Sequence, residues 1–234
     1  MDFTNRTVIV TGAAGNLGQA VAKAFAHRGA NLVLLARRRE QLEKAFGTES
    51  PQQVFAIADL LDQAQVKAAI QKAADQFGRI DVLCNTAGGF RMGPSVHETP
   101  DHDWDFLFDI NTRSLLHAVR AVVPRMIEGG GGKIVSVGAN AAQRGVAHMG
   151  TYCATKAVVS RLTEAMAAEL REHNINVNCI LPSIIDTPEN RAAMPDADPS
   201  RWVAPDALAE AILFLASDGA RAIHGASLPV IGLS

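Results

Sequence analysis

A tyrosine and a lysine, Tyr152 and Lys156, lie one helical turn apart in the segment T-Y-C-A-T-K. Residues four positions apart share a helix face, so the lysine ammonium can stand beside the tyrosine hydroxyl. A free phenol has a pKa of about 10, and a neighbouring positive charge lowers that pKa toward neutrality. The pair is therefore suited to moving a proton to or from another oxygen atom.

A glycine-rich turn, T-G-A-A-G-N-L-G at residues 11–18, stands far upstream of this pair. It follows a β-rich run and opens a helical pattern, which is the context in which glycines can hold a dinucleotide. Gly12 can make the tight turn, Gly18 can let the helix approach the strand, and the helix amides can bind a pyrophosphate. The spacing G-x-x-G-x-x-G differs from the standard G-x-G-x-x-G, so a purely structural glycine turn remains the alternative.

The elements that would position these residues alternate along the chain between apolar runs of strand length and helical patterns. The predicted strands are Thr7–Val10, Asn31–Ala36, Gln53–Ala58, Ile80–Cys84, Lys133–Val137, Ile175–Leu181 and Ser227–Val230. The predicted helices are Leu17–His27, Arg38–Phe46, Asp62–Phe77 with Asp62 as its cap, Asp103–Glu128, Gly150–His173 and Ala204–Ser217. This alternation predicts an α/β fold, a doubly wound parallel sheet of about seven strands with helices on both faces. We expect residues 1–234 to form a single domain with a short substrate-loop region at about 186–203.

The composition excludes several classes of protein. A hydrophobic content of 48% in 234 residues allows a sizeable core, and the net charge of −2 gives no electrostatic basis for binding nucleic acid or a membrane surface. No apolar stretch reaches membrane-spanning length, and the first residues lack a signal-peptide pattern. Cys84, Cys153 and Cys179 are scattered, so they are expected to be reduced core thiols without a metal. We therefore expect a cytoplasmic protein.

The residues after the second predicted strand bear on the choice of dinucleotide. An acidic residue there binds a ribose 2′-hydroxyl, whereas an arginine accommodates a 2′-phosphate. This chain has Arg37, Arg38 and Arg39 and no acid before Glu40, which favours NADPH over NADH. Asp59, after the third strand, either accepts a hydrogen bond from the adenine amino group or caps the next helix.

Six motifs occur in the order and approximate spacing of one known family. They are the glycine turn at 11–18, Asp59, N-T-A-G at 85–88, Asn111 in D-I-N-T, Y-x-x-x-K at 152–156 and P-S-I-I-D-T at 182–187. On these motifs the chain resembles the short-chain dehydrogenase/reductase family, in its compact branch, over essentially its whole length. The resemblance implies a Rossmann-type NAD(P)-binding domain. It also implies a homodimer or homotetramer, because family members commonly pair the helix that begins near Gly150 with its mate.

The resemblance also implies roles for individual residues. Tyr152 would be the general acid and base toward a small carbonyl or alcohol substrate. Lys156 would lower its pKa and bind the nicotinamide ribose, and Asn111 would hold a water that links the site to solvent. The residues implied to bind NADP(H) are Gly12, Ala14, Gly15, Asn16, Leu17, Gly18, Arg37, Arg38, Asp59, Leu60, Asn85, Ala87, Gly88, Val137, Tyr152, Lys156, Pro182, Ile185 and Thr187.

Several positions depart from the family pattern, and Ala139 and Asn16 bear most directly on the site. Ala139 stands thirteen residues before Tyr152, where family members usually carry a serine that hydrogen-bonds the substrate oxygen. Loss of such a donor typically costs about 10²–10³ in rate. Ser136 is a poor substitute, because three strand residues place it roughly 10 Å away, whereas the amide of the adjacent Asn140 could donate instead. Asn16 replaces the usual middle glycine of the turn, and asparagine tolerates left-handed backbone better than most residues.

Three functions therefore remain open. The first is an NADP(H)-dependent oxidoreductase that interconverts a carbonyl and an alcohol. The second is a catalytically impaired NADP(H)-binding scaffold or redox sensor, which the missing serine favours. The third is a dehydratase or epimerase, which only the glycine spacing favours. Phe90, Arg91 and Met92 are expected to line the substrate cavity, while His148 either enters that cavity or is solvated.

Overall fold

The computed structural model describes all 234 residues, and one parallel sheet forms its centre. The strands are β1 (Thr7–Thr11), β2 (Asn31–Ala36), β3 (Gln53–Ile57), β4 (Val82–Asn85), β5 (Gly132–Val137), β6 (Ile175–Pro182) and β7 (Ser227–Val230). All seven are parallel, in the order β3-β2-β1-β4-β5-β6-β7. The predicted doubly wound α/β fold is confirmed, and the strand bounds lie within two residues of the predicted ones.

Eight helices accompany the sheet. They are α1 (Asn16–Ala26), α2 (Arg39–Phe46), α3 (Gln63–Phe77), α4 (Asp101–Phe108), α5 (Ser114–Glu128), α6 (Gly150–Leu170), α7 (Pro188–Ala193) and α8 (Pro205–Ala216). The short helix α7 lies in the predicted substrate-loop region and was not itself predicted. None of the helices combines the length and the apolarity needed to cross a bilayer.

Two hydrophobic cores flank the sheet, because successive strand residues point to opposite faces. On β1, Ile9 packs into a core shared with α3, α5 and α6. Its neighbours Val8 and Val10 pack into a second core with α1, α2 and α8. The two cores contain 25 and 24 buried residues, so both faces are covered about equally. This explains why the strands read as continuous apolar runs.

The strand order reverses between β1 and β4. From β1 the chain passes outward to β2 and β3, and it then continues with β4 on the other side of β1. In doubly wound folds, such a reversal leaves a crevice at the carboxyl ends of the strands, and ligands bind there. Gly12 follows β1 and Asn85 ends β4, so both lie at this crevice.

The stretch predicted as one helix over Asp103–Glu128 consists of three segments. A π-helical turn at Asp109–Arg113 joins α4 to α5, so the chain stays helical but takes one wide turn. The buried Asn111 lies in this turn. Single π-turns within helices are rare and occur frequently at functional sites. The long periodic pattern predicted the helical content correctly but missed the wide turn.

Candidate active site

Lys156 lies in the second turn of α6 and is almost completely buried. Its Nζ donates a hydrogen bond of 2.8 Å to the carbonyl oxygen of Val137, the last residue of β5. Burial lowers the pKa of Lys156 from 10.5 to about 8, against a smaller opposing effect of Cys179. The amine is therefore fixed at the carboxyl edge of the sheet, close to the crevice.

Tyr152 stands one turn before Lys156, and its ring meets the ring of Phe90 edge-on at a centroid distance of 4.9 Å. Burial raises the pKa of the phenol from 10.0 to about 12, and Cys153 adds to the rise. The predicted lowering of this pKa is wrong for this conformation, because burial dominates and the Lys156 amine is turned toward Val137. The phenol is accordingly protonated at neutral pH.

Asn111 joins the loop after β4 to α6. Its Oδ1 accepts a hydrogen bond from the Gly89 N–H at 2.9 Å, and its Nδ2 donates to the Gly89 carbonyl at 3.0 Å and to Thr155 Oγ1 at 3.2 Å. The Thr155 hydroxyl in turn donates to the carbonyl of Tyr152. Asn111 is therefore linked through Thr155 to the backbone of Tyr152, one turn before Lys156 on α6. The role of Asn111 in holding a water stays a prediction.

Ala139, at the position of the usual serine, is buried and has extended backbone. Asn140 begins the 3₁₀ turn that follows, and its Oδ1 accepts a hydrogen bond of 2.5 Å from Gln143 Nε2. This contact orients the amide and leaves its Nδ2 group free to donate. Ser136 is buried in β5, where its hydroxyl accepts from Asn85 Nδ2 at 3.3 Å. Ser136 is therefore occupied within the sheet.

The glycine turn has the geometry that its spacing predicted. Gly12 has a φ of 62°, and a Cβ there would lie 2.9 Å from Ala87 Cα. A Cβ at Gly18 would overlap the Gly12 carbonyl oxygen, so α1 can approach β1 only with glycine at this position. Gly15 precedes α1 without any side-chain cap, which leaves the first amides of the helix free.

The remaining turn residues are held locally. Leu17 is buried in the core beneath the turn, and Gln19 Nε2 donates to the Ala14 carbonyl at 2.8 Å. Asn16 Nδ2 donates to Glu189 Oε2 at 2.7 Å. Glu189 belongs to α7, so this contact links the glycine turn to the substrate-loop region. The two residues are 173 positions apart, and no local pattern in the sequence could have signalled the contact.

Asp59 does not cap the third helix. Its Oδ1 accepts from the Leu61 N–H at 2.9 Å, while Asp62 caps α3 by accepting from the Ala64 and Gln65 amides. The capping alternative for Asp59 is therefore wrong, and an adenine contact stays a prediction. Its buried neighbour Leu60 offers a carbonyl to His117 Nδ1 at 2.9 Å.

The three arginines after β2 differ in their contacts. Arg39 pairs with Glu49 at 3.0 Å and lies over the Phe55 ring. Arg37 and Arg38 are exposed and form no ion pair. Two guanidinium groups are thus available at the end of the strand.

The segment after β6 lies at the same edge of the sheet. Pro182 ends β6, and Ile185 makes an isolated parallel bridge with Val203. Thr187 Oγ1 caps α7 by accepting from the Asn190 N–H at 3.2 Å. The hydroxyl is engaged locally, so its contact with a nicotinamide carboxamide stays a prediction.

The loop after β4 covers the tyrosine unevenly. Phe90 packs on Tyr152, Arg91 lines a cavity beside it, and Met92 is 66% exposed. His148 lines the same cavity and has a φ of 61°. Of Phe90, Arg91 and Met92, which the sequence predicts to line the substrate cavity, only Arg91 lines this one, because its walls come from three separate segments.

The residues at this edge fit a dinucleotide. The bare start of α1 offers free amides for a pyrophosphate, and the turn has no Cβ at Gly12, Gly15 or Gly18 to obstruct it. A Cβ at Gly88 would lie 3.0 Å from both Lys156 Nζ and Asn111 Oδ1, so glycine keeps the approach to the amine open. These observations agree with the residues that the motifs singled out.

Known proteins are similar to this chain in both architecture and sequence. Residues 6–198 match the short chain dehydrogenase family. The D-threitol dehydrogenase of Mycolicibacterium smegmatis is 35% identical over 97% of this chain and 92% of its own. A gluconate 5-dehydrogenase from Burkholderia cenocepacia, solved in complex with NADP and tartrate, has a TM-score of 0.90 and 30% identity, covering 99% of this chain and 95% of that one. Carveol dehydrogenase from Mycobacterium avium, in complex with NAD, has a TM-score of 0.89 and 28% identity, covering 98% and 97%.

The family match spans well over half of the chain, and two structural neighbours bind nicotinamide dinucleotides at 28% and 30% identity. The crevice between β1 and β4, the glycine turn and the buried lysine agree with such a ligand. The chain therefore belongs to the short-chain dehydrogenase/reductase family of oxidoreductases.

Proposed function

We propose that the protein is an NADP(H)-dependent oxidoreductase that interconverts a carbonyl compound and an alcohol, with Tyr152 as the acid and base. One observation carries the proposal. Tyr152 and Lys156 share a face of α6, and the Lys156 amine is fixed at the sheet edge by the Val137 carbonyl. The names of the three relatives refer to different substrates, D-threitol, carveol and gluconate. These names therefore do not identify the substrate of this chain.

The chain's own residues account for the proton. In reduction, Tyr152 Oη donates its proton to the substrate oxygen, and in oxidation it takes a proton from the alcohol. When bound, the nicotinamide supplies the hydride in one direction and accepts it in the other. A pKa of about 12 keeps the proton on the phenol until substrate arrives. Turning of the charged Lys156 amine from the Val137 carbonyl toward Tyr152 would let it stabilise the phenolate that remains after donation.

We propose the Asn140 amide as the donor to the substrate oxygen in place of the missing serine. Its Oδ1 is held by Gln143, which directs the Nδ2 group away from that contact. An oriented amide is an established kind of oxyanion donor in acyl-transfer enzymes. The adjacent Ala139 carries no polar side chain that could do this work.

We propose NADP(H) as the preferred cofactor because Arg37 and Arg38 are exposed and unpaired at the end of β2. Guanidinium groups bind phosphate with several hydrogen bonds at once, whereas a ribose hydroxyl favours an acidic partner. The first acid after the strand, Glu40, already lies within α2.

A second function is favoured by Ala139 alone. Without a serine, the protein would bind NADP(H) as a scaffold or a redox sensor and would not turn over a carbonyl compound. In that case Tyr152 would have no effect on the function, and the Asn140 amide would contact no substrate oxygen.

One experiment separates the two functions. NADPH and NADH are titrated against the protein by fluorescence, and NADPH oxidation is followed with a panel of carbonyl compounds. We expect tighter binding of NADPH, turnover of at least one compound, and a loss of about 10²–10⁴ in kcat for Tyr152→Phe with little change in NADPH affinity. Tight NADPH binding without any turnover would favour the sensor, and tighter binding of NADH would overturn the choice of cofactor.

We further propose that the protein is a cytoplasmic homodimer or homotetramer. The three cysteines are buried and unpaired, which suits a reducing compartment. Exposed alanines along α6 support an association between copies of the chain.

A further inference from the structure

The loop that links β3 to α3 begins beside the arginines proposed to bind the 2′-phosphate. The Ala58 N–H donates a hydrogen bond of 3.1 Å to the carbonyl of Ala36, the residue before Arg37. The ribose that carries the 2′-phosphate of NADP(H) also carries the adenine, so the adenine would lie next to this loop. Asp59 is half-buried there and keeps its Oδ2 free, because only its Oδ1 accepts a hydrogen bond, from the Leu61 N–H. The loop is therefore placed to receive the adenine half of the cofactor.

Contacts inside the loop fix its shape. The Asp59 N–H donates to Gln65 Oε1 at 3.0 Å, and the Asp62 N–H donates to the Asp59 carbonyl at 3.0 Å. Both partners belong to the loop itself or to the first turn of α3. Such contacts hold the segment together, but they do not fix its position relative to the rest of the crevice.

His117 on α5 contacts the loop from a distant part of the chain. Its Nδ1 lies 2.9 Å from the Leu60 carbonyl oxygen, 57 positions away in the sequence. A carbonyl oxygen only accepts, so Nδ1 carries the proton and donates it. The Leu60 side chain packs in the same core as Leu115 and Ala118 of α5. The helix therefore restrains the backbone of Leu60, and the shared core restrains its side chain.

The same helical stretch reaches the other end of the crevice. His117 follows Asn111 by six residues, which is about 9 Å along a helix. Asn111 bonds Gly89 and the α6 residue Thr155, whereas His117 bonds the loop at the adenine end. The π-helical turn and α5 thus set the distance between the two ends of the crevice.

We infer that His117 is a positioning residue for the cofactor: its hydrogen bond to the Leu60 carbonyl holds the loop where Asp59 receives the adenine. The inference rests on the proposed function and deepens it. Without the donor, the buried carbonyl of Leu60 loses its partner, and the loop must turn this oxygen toward water to regain one. That turn displaces Asp59, while the site around Tyr152 stays unchanged.

Two substitutions separate the hydrogen bond from the histidine ring. His117→Asn keeps an N–H donor close to the position of Nδ1, whereas His117→Leu fills a similar volume without a donor. We expect His117→Leu to weaken the binding of 2′,5′-ADP, which carries the adenine half of NADP(H), by about tenfold or more in isothermal titration calorimetry. His117→Asn should bind 2′,5′-ADP as the wild type does. Where His117→Leu does not fold, His117→Met takes its place as the variant without a donor.

Kinetics distinguish positioning from a general loss of structure. His117→Leu should raise KM for NADPH by about tenfold or more and leave kcat unchanged. Reduced nicotinamide mononucleotide lacks the adenine half, so its kcat/KM should be equal in the variant and the wild type. Val122→Ala shortens a fully buried side chain five positions farther along α5 and is the matched control. It should lower stability and leave the affinity for 2′,5′-ADP unchanged.

Unchanged affinity for 2′,5′-ADP in a folded His117→Leu protein would overturn the inference. An equal loss with reduced nicotinamide mononucleotide, or the same loss in Val122→Ala, would also overturn it, because the effect would not be specific to the adenine half. Weak binding by His117→Asn would assign the effect to the ring and not to the hydrogen bond, which overturns the inference too. If NADH proves the tighter ligand, ADP replaces 2′,5′-ADP and the expected results are the same. A wild type that binds neither dinucleotide would instead remove the proposed function.

Discussion

Among the single residues, Lys156 is buried, and burial disfavours the charged form of its amine. Burial lowers its pKa to about 8, and a single hydrogen bond to the Val137 carbonyl satisfies only one of its protons. A group held in this way costs folding free energy and is kept for another reason. Here that reason is its position one turn from the phenol.

We therefore expect Lys156→Met to raise the free energy of unfolding at pH 7, by about 1–3 kcal/mol, while it abolishes turnover. The folded-state pKa of about 8 is below the ordinary 10.5, so the unfolded chain binds more protons between these values and wild-type stability rises with pH there. The advantage of the variant should shrink from pH 8 to pH 10.5. Urea denaturation of the wild type and the variant between pH 7 and pH 10.5 measures the difference in their unfolding free energies. The exposed Lys67→Met serves as the control, and an advantage that is absent or independent of pH would contradict the prediction.

The proposed donor role of Asn140 is also tested at single positions. Asn140→Ala and Asn140→Asp both remove the amide N–H, so each should lower kcat for carbonyl reduction by about 10²–10³. Adding Ala139→Ser to Asn140→Ala supplies a hydroxyl at the neighbouring position and should restore much of the rate. Steady-state kinetics of the two single variants and the double variant tests the assignment. An unchanged kcat for Asn140→Ala would contradict the donor role of Asn140.

At the scale of elements, the π-helical turn at Asp109–Arg113 sets the distance between the loop after β4 and α6. The turn brings Asn111 to both partners, since its amide bonds both backbone groups of Gly89 and the hydroxyl of Thr155. A regular helix would rotate Asn111 away from one of them, because a π-turn adds a residue to the helix repeat. The wide turn and the three hydrogen bonds thus support each other.

Truncating this link should destabilise the protein. Asn111→Ala leaves the Gly89 N–H and carbonyl without partners, and we expect a loss of about 1–3 kcal/mol in unfolding free energy together with a lower kcat. Arg113→Ala, in the same turn, removes only an exposed pair with Asp109 and should cost less than about 1 kcal/mol. Equal losses in denaturant titrations of the two variants would mean that the contacts of Asn111 do not stabilise the turn.

Sequence periodicity was sufficient for the seven strands and the longer helices, because buried strands and amphipathic helices carry their burial pattern in the order of their residues. It missed the short helix α7 and the π-helical turn. The cap at Asp62 and the clearances at Gly12 and Gly18 were also predictable, since each depends on a few neighbouring atoms. The raised pKa of Tyr152 was not predictable from the sequence. The spacing placed a lysine beside it, but the depth of burial and the direction of the amine depend on the assembled sheet.

At the scale of the whole molecule, the surface of α6 is the feature that the monomer leaves unexplained. Its inner face packs on the sheet, and Met166 on that face is part of the core. Its outer face exposes Ala154, Ala165 and Ala168 at helical spacing. Small side chains let two helix backbones approach closely, so this stripe fits a second copy of the same helix.

We expect the protein to elute as a dimer or tetramer of its 24.8 kDa chain in size-exclusion chromatography with light scattering. Ala165→Arg places a long charged side chain in the centre of the stripe, where two copies related by symmetry would each carry it, so the apparent mass should fall. Ala68→Arg changes an exposed alanine of α3 in the same way and should leave the mass unchanged. If the wild type is already monomeric, or if Ala165→Arg keeps the full mass, then α6 does not form the contact between subunits.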